Sequence, residues 1–424
     1  MSDDPGMDND VKKAEVNKLI TNIFNRPAKA EAEAPSSLFR KTAHPAAPEK
    51  KPLIPAFAAR KAVRPTGCIG LDIGTSSVKA VQFTDTGAKK VLESIAVEEF
   101  SAKDYEGPGR DAALKEILVK LKHHGKLNGQ CAVTFSMPEL SVEFIRLPQM
   151  PQAEMLSALD WELKERYSFD SEVSVFDYTM LAESVFEGEK HQEILAVIAP
   201  RKRIVEHLQI LSGVGIKVAA IEPAPFAAFE SFGESPAWKP EEVTALLDMG
   251  AKYTTINLIK DNSLCFSRVS FVAGESMTKA IADYCQLERG VAERYKKDFG
   301  MSKMVLEEDR KNPEVAGELR VKIAHALGLH MEQLYSEIER SFRFLSYEVC
   351  ASPLEKIDRF VLCGGASGLK NFVNFLAGRF TAPVEVANPL AQIEAPADRF
   401  DLDYLKVASP SLAAAAGLAL RSDK

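Results

Sequence analysis

Cys68-Ile69-Gly70-Leu71-Asp72-Ile73-Gly74-Thr75-Ser76-Ser77-Val78-Lys79-Ala80-Val81-Gln82-Phe83 decides how the whole chain is read. Ile69, Leu71 and Ile73 alternate as a strand that stops at Gly74, and Val78 to Phe83 resume as a second strand. Gly74 is free to take φ values closed to other residues. Gly74, Thr75, Ser76 and Ser77 are small enough to bring turn N–H groups and hydroxyls close to a ligand, and a concave run of donors suits phosphate oxygens. Asp72 at the strand end cannot bind phosphate directly, but it can position a hydrated Mg²⁺ that does. Lys79 can add a charge-assisted contact.

An isolated Asp-x-Gly hairpin is a common turn. This chain carries a second one, Ala245-Leu246-Leu247-Asp248-Met249-Gly250-Ala251-Lys252-Tyr253-Thr254-Thr255-Ile256-Asn257-Leu258-Ile259. Each is followed by a third strand-like run, Lys90 to Val97 in the first case and Ser263 to Val272 in the second. Two hairpins of one design, far apart in the chain, imply two related domains. Facing one another, they can clamp a polyphosphate from both sides. Asp248 is then the second Mg²⁺-positioning carboxylate, and Gly250, Lys252 and Thr254 form the opposing phosphate turn.

A third element, Phe360-Val361-Leu362-Cys363-Gly364-Gly365-Ala366-Ser367-Gly368-Leu369, reads as a strand ending in Gly-Gly and then a helix. With the two hairpins in this order, the chain resembles the actin/Hsp70/sugar-kinase ATPase fold. The resemblance implies an α/β protein of two related RNase H-like domains that binds ATP and Mg²⁺. It also implies that Gly364, Gly365, Ala366 and Ser367 line the adenosine side.

At 424 residues the chain is long enough for two or three domains, and 46% hydrophobic with 27% charged residues is the composition of a globular protein. No apolar run approaches the roughly 20 residues that span a bilayer, and the first residues are too polar for a signal peptide. The six cysteines lack CxxC spacing, which argues against a disulfide framework or a zinc site. The net charge of −7 is uneven: residues 1–66 carry 12 Lys/Arg against 8 Asp/Glu, so the remainder is strongly acidic. An acidic body is a poor nucleic-acid binder.

Residues 1–66 differ from the rest. From 27 onward they are rich in Ala, Pro, Lys and Arg without periodicity, the composition of a disordered tail. Within the tail, Val16, Leu19, Ile20, Ile23 and Phe24 recur at helical spacing before Pro27. They predict a short amphipathic helix over 16–24, either a docking peptide or a transient helix. The folded body divides into a first domain at 67–242 and a second at 243–424. The first is interrupted by a small α+β insertion at about 137–217, whose helix from Ala153 to Tyr167 sets Met155, Leu156, Leu159 and Leu163 on one face. In the second, Glu314 to Val349 reads as one long helix, and the small-residue helix 410–421 packs back on the first domain.

The position of the insertion looks like the relocated "1C" subdomain of the FtsA and PilM branch. Three stretches narrow the resemblance to the PilM family of type IV pilus assembly scaffolds: Gly70 to Val81, Met137 to Pro148, and Gly215 to Ala227. It covers about 67–421 and implies an ATP-binding, nucleotide-dependent scaffold, at most a slow ATPase. The implied partner is the short cytoplasmic N-terminal peptide of a PilN-like inner-membrane protein, held between the first domain and the insertion. The implied location is the cytoplasmic face of the inner membrane. Glu293 and Lys296, a helical turn apart, suit an i,i+3 salt bridge or a ligand contact; the resemblance implies the ribose. Two other readings remain. An FtsA-like filament protein would need a membrane helix, and only Arg421 to Lys424 follow the last helix, although 16–24 could substitute. A small-molecule kinase would need a catalytic carboxylate at a substrate cleft, for which no residue stands out.

Overall fold

The computed structural model describes residues 68–421, except for 88, 102–106, 108, 137–139, 168, 187, 233–238, 240, 302–312 and 351–353. The tail of residues 1–66 and its helix at 16–24 lie outside the described residues. Alternating apolar residues form the first hairpin as expected, β1 (Ile69–Ile73) antiparallel to β2 (Ser77–Asp85), with Asp72 opposite Lys79. β3 (Lys90–Glu99) extends it, and β4 (Gln130–Phe135) and β8 (Lys217–Pro223) join in parallel on the other side, giving the order β3-β2-β1-β4-β8. The second domain repeats this plan. β9 (Thr244–Met249), β10 (Thr254–Lys260) and β11 (Ser263–Ser270) form the meander. β12 (Arg359–Cys363) and β13 (Val384–Val386) add the parallel strands, in the order β11-β10-β9-β12-β13.

Strand alternation assigns each sheet two faces. Ile69, Leu71 and Ile73 pack outward against α1 (Arg110–His123) and α3 (Arg201–Gly213). Ala245, Leu247 and Met249 pack outward against α5 (Gly274–Cys285), α6 (Arg289–Phe299) and α7 (Pro313–Phe344). α7 ends in one π-helical turn, Leu345–Val349, so the single helix expected over 314–349 changes pitch there.

The inner faces meet at two crossing helices, α4 (Ala224–Glu230) and α10 (Ala413–Arg421). Cys68, Ala132, Ala220, Ala227, Ala414 and Leu418 form this seam. The approach is very close. A Cβ on Gly70 would lie 1.9 Å from the Ala415 carbonyl oxygen, and one on Gly417 would lie 1.7 Å from that of Ala227. Small residues in α10 are therefore required by backbone contact. The return from β13 to α10, which includes α9 (Leu402–Ala408), also crosses to the first domain. Leu92 N–H donates to the Glu394 carbonyl at 2.8 Å, and Arg399 pairs with Glu93 at 3.0 Å.

The insertion is a separate three-stranded antiparallel sheet, with β7 (Glu189–Pro200) between β5 (Ser141–Pro148) and β6 (Ser174–Phe186). Helix α2 (Gln152–Tyr167) lies on it, with Met155, Leu159 and Leu163 packed against Ile145 and Ile194. Leu156 is instead exposed. The stripe of Met155, Leu159 and Leu163 spans about 80° around the helix, and Leu156 falls about 60° from its centre, at the margin toward solvent.

Among the described residues no helix is long and apolar enough to cross a membrane. A pair of glycine substitutions tests the packing. Gly417→Ala is expected to cost at least about 1–3 kcal/mol in urea unfolding, because the backbones must part. Gly328→Ala, in mid-α7 with nothing within 4 Å of its Cβ position, is expected to add about 1 kcal/mol.

Candidate functional site

The two Asp-x-Gly turns lie at the ends of matching strands and are built alike. Gly74 N–H donates to the Ser77 carbonyl at 3.0 Å, and Gly250 N–H donates to the Tyr253 carbonyl at 2.9 Å. Gly74 is not among the glycines with positive φ. Its missing side chain serves space instead, since a Cβ there would lie 3.2 Å from the Ser77 carbonyl oxygen and 3.6 Å from Lys79 Nζ.

Three donors pull the first turn's carbonyls to one side. Arg110 donates to the carbonyls of Gly74 and Thr75, each at 2.9 Å, and Phe100 N–H donates to that of Ser76 at 2.9 Å. In a trans peptide the N–H points opposite to the C=O. The N–H groups of Thr75, Ser76 and Ser77 in these same peptide planes therefore face away from Arg110 and Phe100. Among the described residues, those of Thr75 and Ser76 have no protein acceptor. In the second turn the carbonyls of Gly250 and Ala251 are taken by the first N–H groups of α5, from Gly274 at 3.0 Å and Glu275 at 2.7 Å.

Between the turns lies a charged centre. Lys79 Nζ donates to Asp72 Oδ2 at 2.9 Å, Thr134 Oγ1 donates to Asp72 Oδ1 at 3.0 Å, and Ile73 N–H donates to Thr134 Oγ1 at 3.0 Å. Asp72 is only 6% exposed. Burial works against the Lys79 charge, but Asp72 and then Asp248 hold its pKa above the ordinary value. For Asp248, burial and the nearby Asp72 carboxylate outweigh Lys79 and push the pKa up to about 6. Burial also raises Cys363, which lies against Asp248. Asp72 and Lys79 from the first domain and Asp248 from the second thus share one buried centre.

The other expected residues divide. Gly364 has a φ of +85°, and a Cβ on it would fall 2.4 Å from Asp248 Oδ1, so the Gly-Gly turn bends directly over Asp248. Ala366 N–H ties this turn to the Met249 carbonyl at 2.8 Å, and Ser367 Oγ donates to the Gly364 carbonyl at 2.7 Å. Gly365 is exposed at its tip. The expected helix begins only at Phe372, as α8 (Phe372–Phe380). Lys252 sits half-buried on the second turn, its pKa lowered by burial. Thr254 is fully buried and its hydroxyl donates to the Val272 carbonyl at 2.6 Å, so it belongs to the hairpin wall and not to the cleft. Lys296 is 7% exposed and bonds the Gly274 carbonyl at 2.7 Å, Thr278 Oγ1 at 2.9 Å and Glu293 at 2.7 Å. Burial lowers its pKa, whereas Glu293, half-buried but bonded to Lys296 and Thr278, is lowered on balance. The Glu293–Lys296 pair joins α5 to α6 just beneath the second turn.

Three residues with no expected role stand at the centre. Thr134 orients Asp72. Arg110 grips a turn more than thirty residues earlier in the chain, a contact no local pattern signals. Glu222, 1% exposed at the end of β8 and in register with Thr134, adds a third carboxylate on the inner face. Its mark in the sequence was a charge closing the apolar run Val218 to Ile221, followed at once by Pro223.

Residues 70–423 match the family described as type IV pilus assembly protein PilM. Among solved structures the chain is similar to the PilM-PilN type IV pilus biogenesis complex, with a TM-score of 0.69 and 24% identity over 84% of this chain and 98% of that one. A more distant likeness is to the ethanolamine utilization protein EutJ from Carboxydothermus hydrogenoformans, at 0.47 and 14% over 84% and 90% of the two chains. Another is to MreB 5 of Spiroplasma citri bound to AMPPNP, at 0.41 and 13% over 83% and 94%. The first establishes an actin-like ATPase fold.

Asp248 makes stability depend on pH. Its folded pKa of about 6 lies above the ordinary 3.8, so between these values the folded protein keeps a proton that the unfolded chain has released. Stability contributed by this group is full below about pH 4 and lost by about pH 6, on the order of 3 kcal/mol in all. Asp248→Asn is expected to flatten that part of the pH–stability curve and to raise the melting temperature at pH 7.5. An unchanged curve would show that Asp248 titrates normally.

Proposed function

The chain belongs to the type IV pilus assembly protein PilM family, and from that membership we propose that it is a nucleotide-responsive scaffold of a pilus assembly platform, with Mg-ATP held between its two domains. The observation that carries this reading is the convergence of Asp72, Lys79 and Asp248 between two turns of one build.

The residues fit the group. The outward N–H groups of Thr75 and Ser76, with the hydroxyls of Thr75, Ser76 and Ser77, are donors for phosphate oxygens. Gly250 and Lys252 offer the same from the other side. Asp72 and Asp248 would hold a hydrated Mg²⁺, and Lys79 would balance phosphate charge. A bound Mg²⁺ neutralises phosphate charge and links the phosphates to the carboxylates. The Gly364–Ser367 turn would receive the adenosine side. Glu293, the more exposed member of its pair, would reach the ribose, with Lys296 fixing it. Such a ligand shifts the angle between domains only through its different affinity for the two arrangements.

For the partner we take the short cytoplasmic N-terminal peptide of a PilN-like inner-membrane protein, because the similar solved structure is a PilM-PilN complex. Its groove would lie between the first domain and the insertion. Binding there would recruit the protein to the cytoplasmic face of the inner membrane.

Thermal unfolding with and without Mg-ATP tests the nucleotide half. At a concentration about 100 times the dissociation constant, ligand adds roughly 2.7 kcal/mol, a rise of several degrees. Asp72→Asn is expected to abolish the rise. Asp72→Ala is a poorer control, because it leaves the largely buried Lys79 ammonium without its nearest partner. No rise in the wild type would refute nucleotide binding. A PilN-like peptide that binds with one affinity whether or not Mg-ATP is present would make the scaffold static.

A further inference from the structure

The two phosphate turns are braced by different means. In the second domain the brace is backbone: the opening N–H groups of α5, from Gly274 and Glu275, take the carbonyls of Gly250 and Ala251. Among the described residues, the matching helix of the first domain does not supply this. The N–H of Arg110, first residue of α1, turns back to the Gly107 carbonyl at 3.2 Å, and that of Ala113 turns to Gly109 at 3.0 Å. The Arg110 side chain fills the role instead, spanning the carbonyls of Gly74 and Thr75 with two nitrogens. Its guanidinium lies over the Phe100 ring at 4.5 Å, and Phe100 N–H holds the next carbonyl, that of Ser76.

We propose that Arg110 is the positioning residue of the first phosphate turn, a side chain doing for Gly74 and Thr75 what a helix N-terminus does for Gly250 and Ala251. The proposal rests on the nucleotide reading above. A peptide plane is rigid, so a donor fixed on its carbonyl fixes the opposite direction of its N–H. A planar fork of donors fixes two successive planes at once, which an ammonium cannot do. Without Arg110 the planes of Thr75 and Ser76 can rotate and their N–H groups no longer converge on a phosphate. Arg110 itself lies on the carbonyl side of the turn and touches no phosphate.

Isothermal titration of the full-length protein with Mg-ATP and with adenosine, which lacks phosphates, separates positioning from general support. Arg110→Ala is expected to weaken Mg-ATP about tenfold or more and to leave adenosine unchanged. Arg110→Lys, which can hold one carbonyl at a time, is expected to fall between the alanine variant and the wild type. It carries the test by the same split if the alanine variant does not fold. Added ethylguanidinium is expected to restore Mg-ATP affinity to Arg110→Ala. Equal Mg-ATP affinity in wild type and variants, or equal loss of Mg-ATP and adenosine, overturns the positioning role while leaving the nucleotide reading intact. A wild type that binds no Mg-ATP overturns both.

Discussion

One ammonium serves two carboxylates at the heart of this protein. Lys79 bonds Asp72 within the first domain, and it lies close enough to Asp248 of the second that each shifts the other's ionisation. The β1–β2 register places a lysine opposite Asp72, whereas the β9–β10 register places Thr255 opposite Asp248. The duplicated hairpins therefore leave an excess of negative charge where the domains meet. Taking one member away strands a buried charge. Adding a cation relieves the excess. Repulsion between a carboxylate of one domain and a carboxylate of the other is thus built into this centre.

Around this centre the repeat is one of geometry more than of residues. Both sheets place an antiparallel hairpin beside parallel strands, and both turns close with the same glycine-to-carbonyl bond. The supports then diverge: a helix start under one turn, an arginine under the other. Lys296, beneath the second turn, shows the same substitution of parts. Its ammonium fastens the beginning of α5 to α6, so it supports the turn through the helix that braces it.

What could be read from the chain follows the range of the interactions involved. The hairpins were legible because alternation and Asp-x-Gly are local, and their recurrence implied duplication. The Gly-Gly turn was legible for the same reason, although Asn371, in a left-handed conformation, delays its helix to Phe372. Thr254 read as a turn residue, but it opens β10, where strand parity buries it. Leu156 lies at the edge of the buried stripe of its helix, beside Leu163, and periodicity alone does not tell the edge of a stripe from its middle. Glu293 and Lys296 were compatible with a solvated salt bridge, and only the packing of α5 reveals that Lys296 is buried. Arg110 and Thr134 were invisible because their partners, the first turn and Asp72, lie far away in the chain, with nothing in the intervening residues to suggest contact, and Glu222 left only the charge that closes an apolar run.

The seam between α4 and α10 carries a mechanical consequence. Where large side chains interlock, one body cannot turn on another without lifting ridges from grooves. Here the contact is methyl groups and bare backbone, with Gly70 and Gly417 at the points of closest approach. Such a surface resists separation, because any gap forfeits many close contacts at once, yet it offers few teeth against rotation. The crossing behaves as a plain bearing: it sets the distance between the two halves and constrains their angle far less.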